Sequence, residues 1–272
     1  MAGSSCPQVT CLACAAHPTN PPIIAATIVI YMLQFYFIRH AQSTNNLLWD
    51  NTGSSTGRSD DPPLTSLGKE QANHLAEFLL RGNPDGGNFA TSTKTFGFSL
   101  THLYTSLMLR AVETGMPVAK TLCLPLIAWE DLHEQGGIYL SDEETGDPIG
   151  LPGKNRAYFQ ALFPDLLLPS NLNEEGWWRS RPYETPEQSV LRAEHFITDL
   201  LERHANSNDK VAMVCHGGFY NSFLGVLLDI PIQNELWFRM NNAAITRIDF
   251  QDDVVRLVYL NRMDYLPAEL IT

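Results

Sequence analysis

The sequence predicts an α/β fold with a mostly parallel central sheet, and three observations predict it. Short apolar segments alternate with amphipathic helical ones along the chain. Two of the segments, FYFI at 35–38 and VAMVC at 211–215, are apolar throughout, as strands covered on both faces are. Helix-start signals separate the segments, the clearest being Thr185-Pro186-Glu187-Gln188, where a Thr cap, a Pro at the first helical position and a Gln two residues after that Pro form a capping box.

The elements follow in order. Residues 1–22, rich in Ser, Pro and Cys, read as poorly ordered, and no Asp, Glu, Lys or Arg precedes Arg39. The apolar run from Ile23 to Ile38 lacks a basic flank, is interrupted by Thr27 and Gln34, and enters Arg39-His40 with no cleavage site between. It therefore fits neither a signal peptide nor a bilayer helix. Residues 1–31 are expected to be an extension and 32–272 a single domain, with Gln34–Ile38 as its first strand. Thr65 caps a helix over Ser66–Leu80, stopped by Gly82. Ser99–Thr105 is a strand, Leu107–Leu122 a helix that Pro117 should bend or interrupt, and residues 124–132 a strand ending in acids. The long Gly- and Pro-containing stretch 133–184 holds one helix, Arg156–Leu162, and loops of this length usually carry function. A helix from Thr185 to about His204, a strand at 210–216, a helix from Phe219 to Leu228 and a hairpin of residues 244–250 and 254–260 complete the chain.

Composition narrows the function. With 272 residues, 44% hydrophobic and 18% charged, the chain can bury a sizeable core. A net charge of −12 argues against nucleic acid or an anionic membrane as partner, so positive charge for an anionic ligand must be local. Three of the five cysteines, Cys6, Cys11 and Cys14, crowd the amino terminus, with Cys123 and Cys215 elsewhere; this is no disulfide framework, and a reducing, cytoplasmic setting is expected. Cys11 and Cys14 form a CxxC that lacks a second metal-binding pair. No metal-ligand spacing stands out, and no metal or other cofactor is expected.

In parallel sheets ligands bind beyond the carboxyl ends of the strands. Arg39-His40, Glu134 and His216 each follow such an end, so all should gather at one edge. At these residues the chain resembles the histidine phosphatase superfamily, which includes cofactor-dependent phosphoglycerate mutases. FYFIRHAQSTNN (35–46) is similar to its RHG signature, DDPPLTSLGKEQA (60–72) to its D-x-P-L-T segment, YTSLMLRAVETG (104–115) to its S-x-x-x-R-A segment, DLHEQGG (131–137) to its L-x-E segment and VCHGG (214–218) to its H-G segment. All five occur in family order.

The resemblance implies a three-layer sandwich with helices on both faces of the sheet and insertions capping its carboxyl edge. It implies His40 as nucleophile through a phosphohistidine, Glu134 as general acid, and Arg39, Arg110 and His216 binding the phosphoryl group, with Asn46 as a further polar contact. The turn at Gly217-Gly218, before a helix, offers backbone N–H groups to an anion. Two departures stand out: Ala41-Gln42 replaces the usual Gly-Glu, and residues 47–60 are longer than the common spacing, so that Ser55 and Thr56 become candidate substrate contacts. The expected activity is hydrolysis of a small phosphomonoester, with a phosphomutase or a non-catalytic phosphate-binding relative as alternatives. Hydrolysis is preferred because residues 135–153 hold four acids and no Lys or Arg, whereas mutases of the family carry a basic lining there. A cysteine phosphatase fails because Asn221 stands where Cys215 would need an arginine. A serine nucleophile at Ser55 within G-x-S-x-G lacks the strand and helix its elbow requires. Trp49, Tyr139, Tyr158, Trp177 and Trp178 fall in the variable insertions, either as cap packing or as an apolar subsite.

Overall fold

The computed structural model describes residues 31–85, 97–231 and 236–272, so the extension, its CxxC and the proposed start of the apolar run lie outside the described residues. In chain order the elements are β1 (Leu33–Arg39), α1 (Thr44–Thr52), α2 (Ser66–Arg81), β2 (His102–Thr105), α3 (Leu109–Leu122), β3 (Leu126–Ala128), β4 (Tyr139–Ser141), β5 (Pro148–Gly150), α4 (Arg156–Leu162), β6 (Leu166–Leu167), α5 (Pro186–His204), β7 (Lys210–Cys215), α6 (Gly217–Leu227), β8 (Ile245–Gln251) and β9 (Val254–Arg262). Seven strands form one sheet in the order β6-β3-β2-β7-β1-β8-β9. The first five run parallel, while β8 and β9 add antiparallel strands at one side.

The pleat of β1 explains the layers. Leu33, Phe35 and Phe37 point to one face, where they meet Phe196 and Leu200 of α5 and Phe219 and Phe223 of α6. Tyr36 and Ile38 point to the other, against Leu75 and Leu79 of α2 and Val112 and Val118 of α3. Helices thus cover both faces of a seven-stranded, mostly parallel sheet, as expected. Among the described residues no helix is long and apolar enough to cross a membrane.

Several local expectations are adjusted. Helix α3 runs on through Pro117, because its buried flank of Val112, Val118 and Ala119 packs into the core and outweighs the roughly 3 kcal/mol that an internal proline costs. The strand expected over 124–132 is only β3; a 3₁₀ turn, Glu130–Leu132, takes over where Trp129 donates its N–H to Thr105. Helix α6 starts two residues earlier than Phe219, at Gly217. The polar turn and loop expected after His40 contain α1, whose capping box joins Ser43 and Asn46. It has no apolar stripe and buries none of its own residues, so periodicity could not reveal it. Within 133–184 the β4–β5 hairpin, α4 and β6 form, and Trp177 and Trp178 pack in the core, their rings 5.9 and 4.8 Å from that of His133.

Candidate active site

Parallel pairing of β1, β7, β2 and β3 brings their carboxyl ends to one edge. Arg39 ends β1 and His40 follows it; Ser106 follows β2, His216 follows β7, and Glu134 lies one 3₁₀ turn beyond β3. His40 is buried, and two hydrogen bonds assign its protons. Nδ1 lies 2.7 Å from the Ala41 carbonyl, which can only accept, and Nε2 lies 3.1 Å from Nε of Arg110, which can only donate. The ring is therefore protonated on Nδ1 and carries its lone pair on Nε2. Burial, reinforced by the Arg110 and Arg39 charges, holds the ring well below the usual histidine range and so keeps it neutral.

Of the two arginines beside it, Arg110 is buried like His40 and Arg39 is half-buried. Arg110, in the first turn of α3, faces both Glu134 and Asp61 electrostatically, and burial lowers its affinity for the proton. Asp61 accepts from the N–H of Leu109 at 2.9 Å, replacing the side-chain cap that α3 lacks, and burial raises it to about 6. Arg39 anchors one guanidinium nitrogen on the Met240 carbonyl while its Nε is buried without a partner. His216 is equally poised. Its Nε2 lies 2.7 Å from the Ser106 hydroxyl, whose oxygen also accepts from the N–H of Met108, so the hydroxyl hydrogen is available to His216. With the Ser106 hydroxyl donating, the His216 proton lies on Nδ1, which is buried with no partner, and the two imidazole centroids are 5.1 Å apart. Unpaired buried donors in a cationic recess are what an anion would satisfy.

Glu134 sits at the start of α6. Its carboxylate accepts from the N–H groups of Gln135, Gly218 and Phe219 at 2.9, 3.1 and 2.9 Å. Glycine at 218 is required for this approach, since a Cβ there would stand 2.5 Å from Oε1. Arg39, Glu134, Gly217 and Gly218 line a cavity of about 620 Å³ together with Asp50, Arg239 and Asn242. His40, Arg110 and His216 are buried and do not line that cavity; His40 is joined to Arg110 through Nε2.

The five residues expected to do the chemistry thus converge, Asn46 lines the cavity beside them, and two other expected residues lie elsewhere. The Asn46 carbonyl oxygen accepts from the Ser43 N–H at 3.0 Å and from Asn242 at 3.3 Å. Ser55 and Thr56 are a correction: both are exposed and line a separate cavity with Arg58 and Tyr139, not the one that Arg39 and Glu134 line. Ser55 has no histidine hydrogen-bonded to it among the described residues, and Cys215 is buried with its thiol 3.1 Å from the Leu132 carbonyl and pushed up by desolvation, so neither rival nucleophile is assembled. Sequence reasoning missed Asn242, which donates to the His40 carbonyl at 3.0 Å, and Arg239 and Trp237 of the cavity wall. They lie beyond the last motif and gave no local signal. Asp61 was within a quoted motif, and its place before Pro62 and Pro63 was the available hint. At the opposite edge of the sheet, His102, His204 and Asp209 offer ligand atoms within 4.8 Å of one another, across a spacing of a hundred residues that hides them from motif reading.

The family described as histidine phosphatase superfamily (branch 1) matches residues 35–145 and 152–263. The chain belongs to that superfamily. The Hydrogenobacter thermophilus protein named "Putative phosphoserine phosphatase 2" is 28% identical over 241 residues, 85% of this chain and 97% of that one. The Yersinia pestis protein named "Probable phosphoglycerate mutase GpmB" is 26% identical over 230 residues, 81% and 86% of the two chains. A phosphoserine phosphatase mutant from Entamoeba histolytica, solved with phosphoserine, superposes with a TM-score of 0.54 at 20% identity, covering 86% of this chain and all of that one. The alpha-ribazole phosphatase of Shigella flexneri gives 0.53 at 19%, covering 84% and 96%. These structural likenesses establish the histidine phosphatase fold for this chain.

Proposed function

We propose that this member of the superfamily is a phosphomonoester hydrolase working through a phosphohistidine on Nε2 of His40. The observation that carries the reading is the pair of bonds on the His40 ring, which hold its proton on Nδ1 and present the Nε2 lone pair to a guanidinium. A phosphoryl group entering from the cavity draws Arg110 onto its oxygens and uncovers Nε2. Arg39 Nε and His216 Nδ1 supply further donors to the equatorial oxygens, where the charge of the transferring group is spread. The Nε2 lone pair forms the P–N bond as the P–O bond to the alcohol breaks, and the Glu134 carboxyl gives its proton to the departing oxygen. Water then attacks phosphorus, its proton passes to the Glu134 carboxylate, and cleavage of P–N returns the lone pair to His40.

Hydrolysis is preferred to mutase chemistry because, among the described residues lining the cavity, Arg39 and Arg239 are matched by Asp50 and Glu134, so the wall carries no net positive charge of its own. Phosphoserine and 3-phosphoglycerate are natural first assays given the names of the relatives. Turnover should survive EDTA and vanish in His40→Ala, and rapid quenching should trap an acid-labile phosphoenzyme. Full turnover in His40→Ala, or 2-phosphoglycerate rather than free phosphate from 3-phosphoglycerate with its bisphosphorylated cofactor, would overturn the proposal.

A further inference from the structure

Two tryptophans that line the cavity are largely exposed among the described residues. Trp49, on α1, is 59% exposed and Trp237 is 64% exposed, yet both line the cavity that holds Arg39 and Glu134. Helix α1 buries none of its residues, so Trp49 serves no core. The same cavity wall continues into a second, smaller hollow of about 150 Å³, and Gln135, Gly218, Trp237 and Phe238 line both. The smaller hollow is walled by Val190, Ile230 and Leu236, with no charged side chain among its described lining residues. An apolar pocket that shares its wall with the general acid lies on the side of the cavity where the alcohol leaves, because Glu134 must reach the leaving oxygen and Gly218 binds Glu134.

We infer that the physiological substrate is a phosphate ester of a bulky apolar or aromatic alcohol, whose body packs on Trp49 and Trp237 and extends into the Val190–Ile230 hollow. This rests on the hydrolase reading above and adds the substrate class to it. A small polar ester would leave both indoles in water and the hollow unfilled, whereas large exposed apolar patches at a site mark what it binds. Indole rings stack on planar or apolar groups with geometric preference, each pair adding about two- to tenfold to binding.

The test compares 2-(1-naphthyl)ethyl phosphate with ethyl phosphate and phosphoserine. The first two are primary alkyl esters with leaving groups of matched basicity, so a difference in kcat/KM reports the apolar body. The wild-type enzyme is expected to favour the naphthylethyl ester over both others by at least about tenfold in kcat/KM. In Trp49→Ala and Trp237→Ala that preference should fall about two- to tenfold each, chiefly through KM, since both side chains are largely exposed and their truncation leaves the core intact. Ile230→Ser should lower it as well. Equal kcat/KM for the naphthylethyl and ethyl esters, a preference for phosphoserine, or an unchanged ratio in both tryptophan variants overturns the inference while leaving hydrolysis standing. Absence of phosphate release from every ester and of label on His40 overturns both.

Discussion

Gly218→Ala separates the fold from the chemistry. The added Cβ stands 2.5 Å from Glu134 Oε1 and 3.3 Å from the Gln135 Cβ; ordinary contact begins at 3.4 Å, so the carboxylate oxygen must retreat by about 0.9 Å. That retreat stretches the bonds from Gly218 and Phe219 N–H that locate the carboxylate. The strain falls on the far end of a flexible side chain, while alanine in place of glycine within α6 contributes up to about 1 kcal/mol of helix propensity. Stability should therefore hold or rise. Catalysis should not, because misplacing a reacting group by about 1 Å can cost on the order of 10²-fold. The assay is kcat with ethyl phosphate and with 4-nitrophenyl phosphate, alongside thermal unfolding. The alkyl ester, which needs its leaving oxygen protonated, should lose about 10²-fold, and the nitrophenyl ester distinctly less. Equal losses on the two esters would refute Glu134 as the proton donor, and undiminished kcat on ethyl phosphate would refute the requirement for its position.

Other predictions follow from the same geometry. Arg110→Lys removes the Nε donor from His40 and the planar fork from the phosphoryl group, and steady-state assays should show kcat down by about 10²-fold with the fold unchanged by circular dichroism. Glu184 and Arg192 form a buried two-point pair at 2.7 and 2.7 Å, so Glu184→Gln strands the guanidinium and should cost about 3–5 kcal/mol in urea denaturation. His40, His133 and His216 are all held well below 6.5 by burial, so between that pH and their lowered values the unfolded chain binds protons the folded chain does not. Stability is thus full above 6.5 and lost as pH falls below it, by up to about 1.4 kcal/mol per histidine per pH unit. Asp61, raised to about 6, acts in the opposite sense below that pH, because the folded state takes its proton first. The net loss between pH 7.5 and 5.5 should be about 3 kcal/mol, and a flat urea-denaturation profile would exclude three buried neutral histidines.

The pattern of success and failure in the sequence follows the range of the forces involved. Thr65 and the Thr185-Gln188 box were legible because each satisfies N–H groups three residues away, a bond the local sequence spells out. The strands β1 and β7 were legible because burial on both faces leaves Phe35–Ile38 and Val211–Cys215 without a charged or amide side chain. From those strands, the rule that parallel strands end on one edge brought Arg39, His40, Glu134 and His216 together before any coordinate, and the motif order added Arg110. Helix α1 escaped because its stability comes from a cap and its position, with no apolar face to read.

By itself the sequence determined the layered α/β architecture and the gathering of Arg39, His40, Glu134 and His216 at one sheet edge, which follow from local pattern and strand direction, while the resemblance of its motifs supplied the family and Arg110. Only the tertiary structure decided the rest. The His40 tautomer depends on Arg110, 70 residues away, and its carbonyl on Asn242, 202 residues away. The placing of Ser55 and Thr56 in another cavity, and of Trp237 beside Glu134, likewise depends on chain paths that α1 and β8 impose. Hydrogen-bond direction and cavity shape arise from groups that meet only when the chain has closed, and no periodicity along it records them.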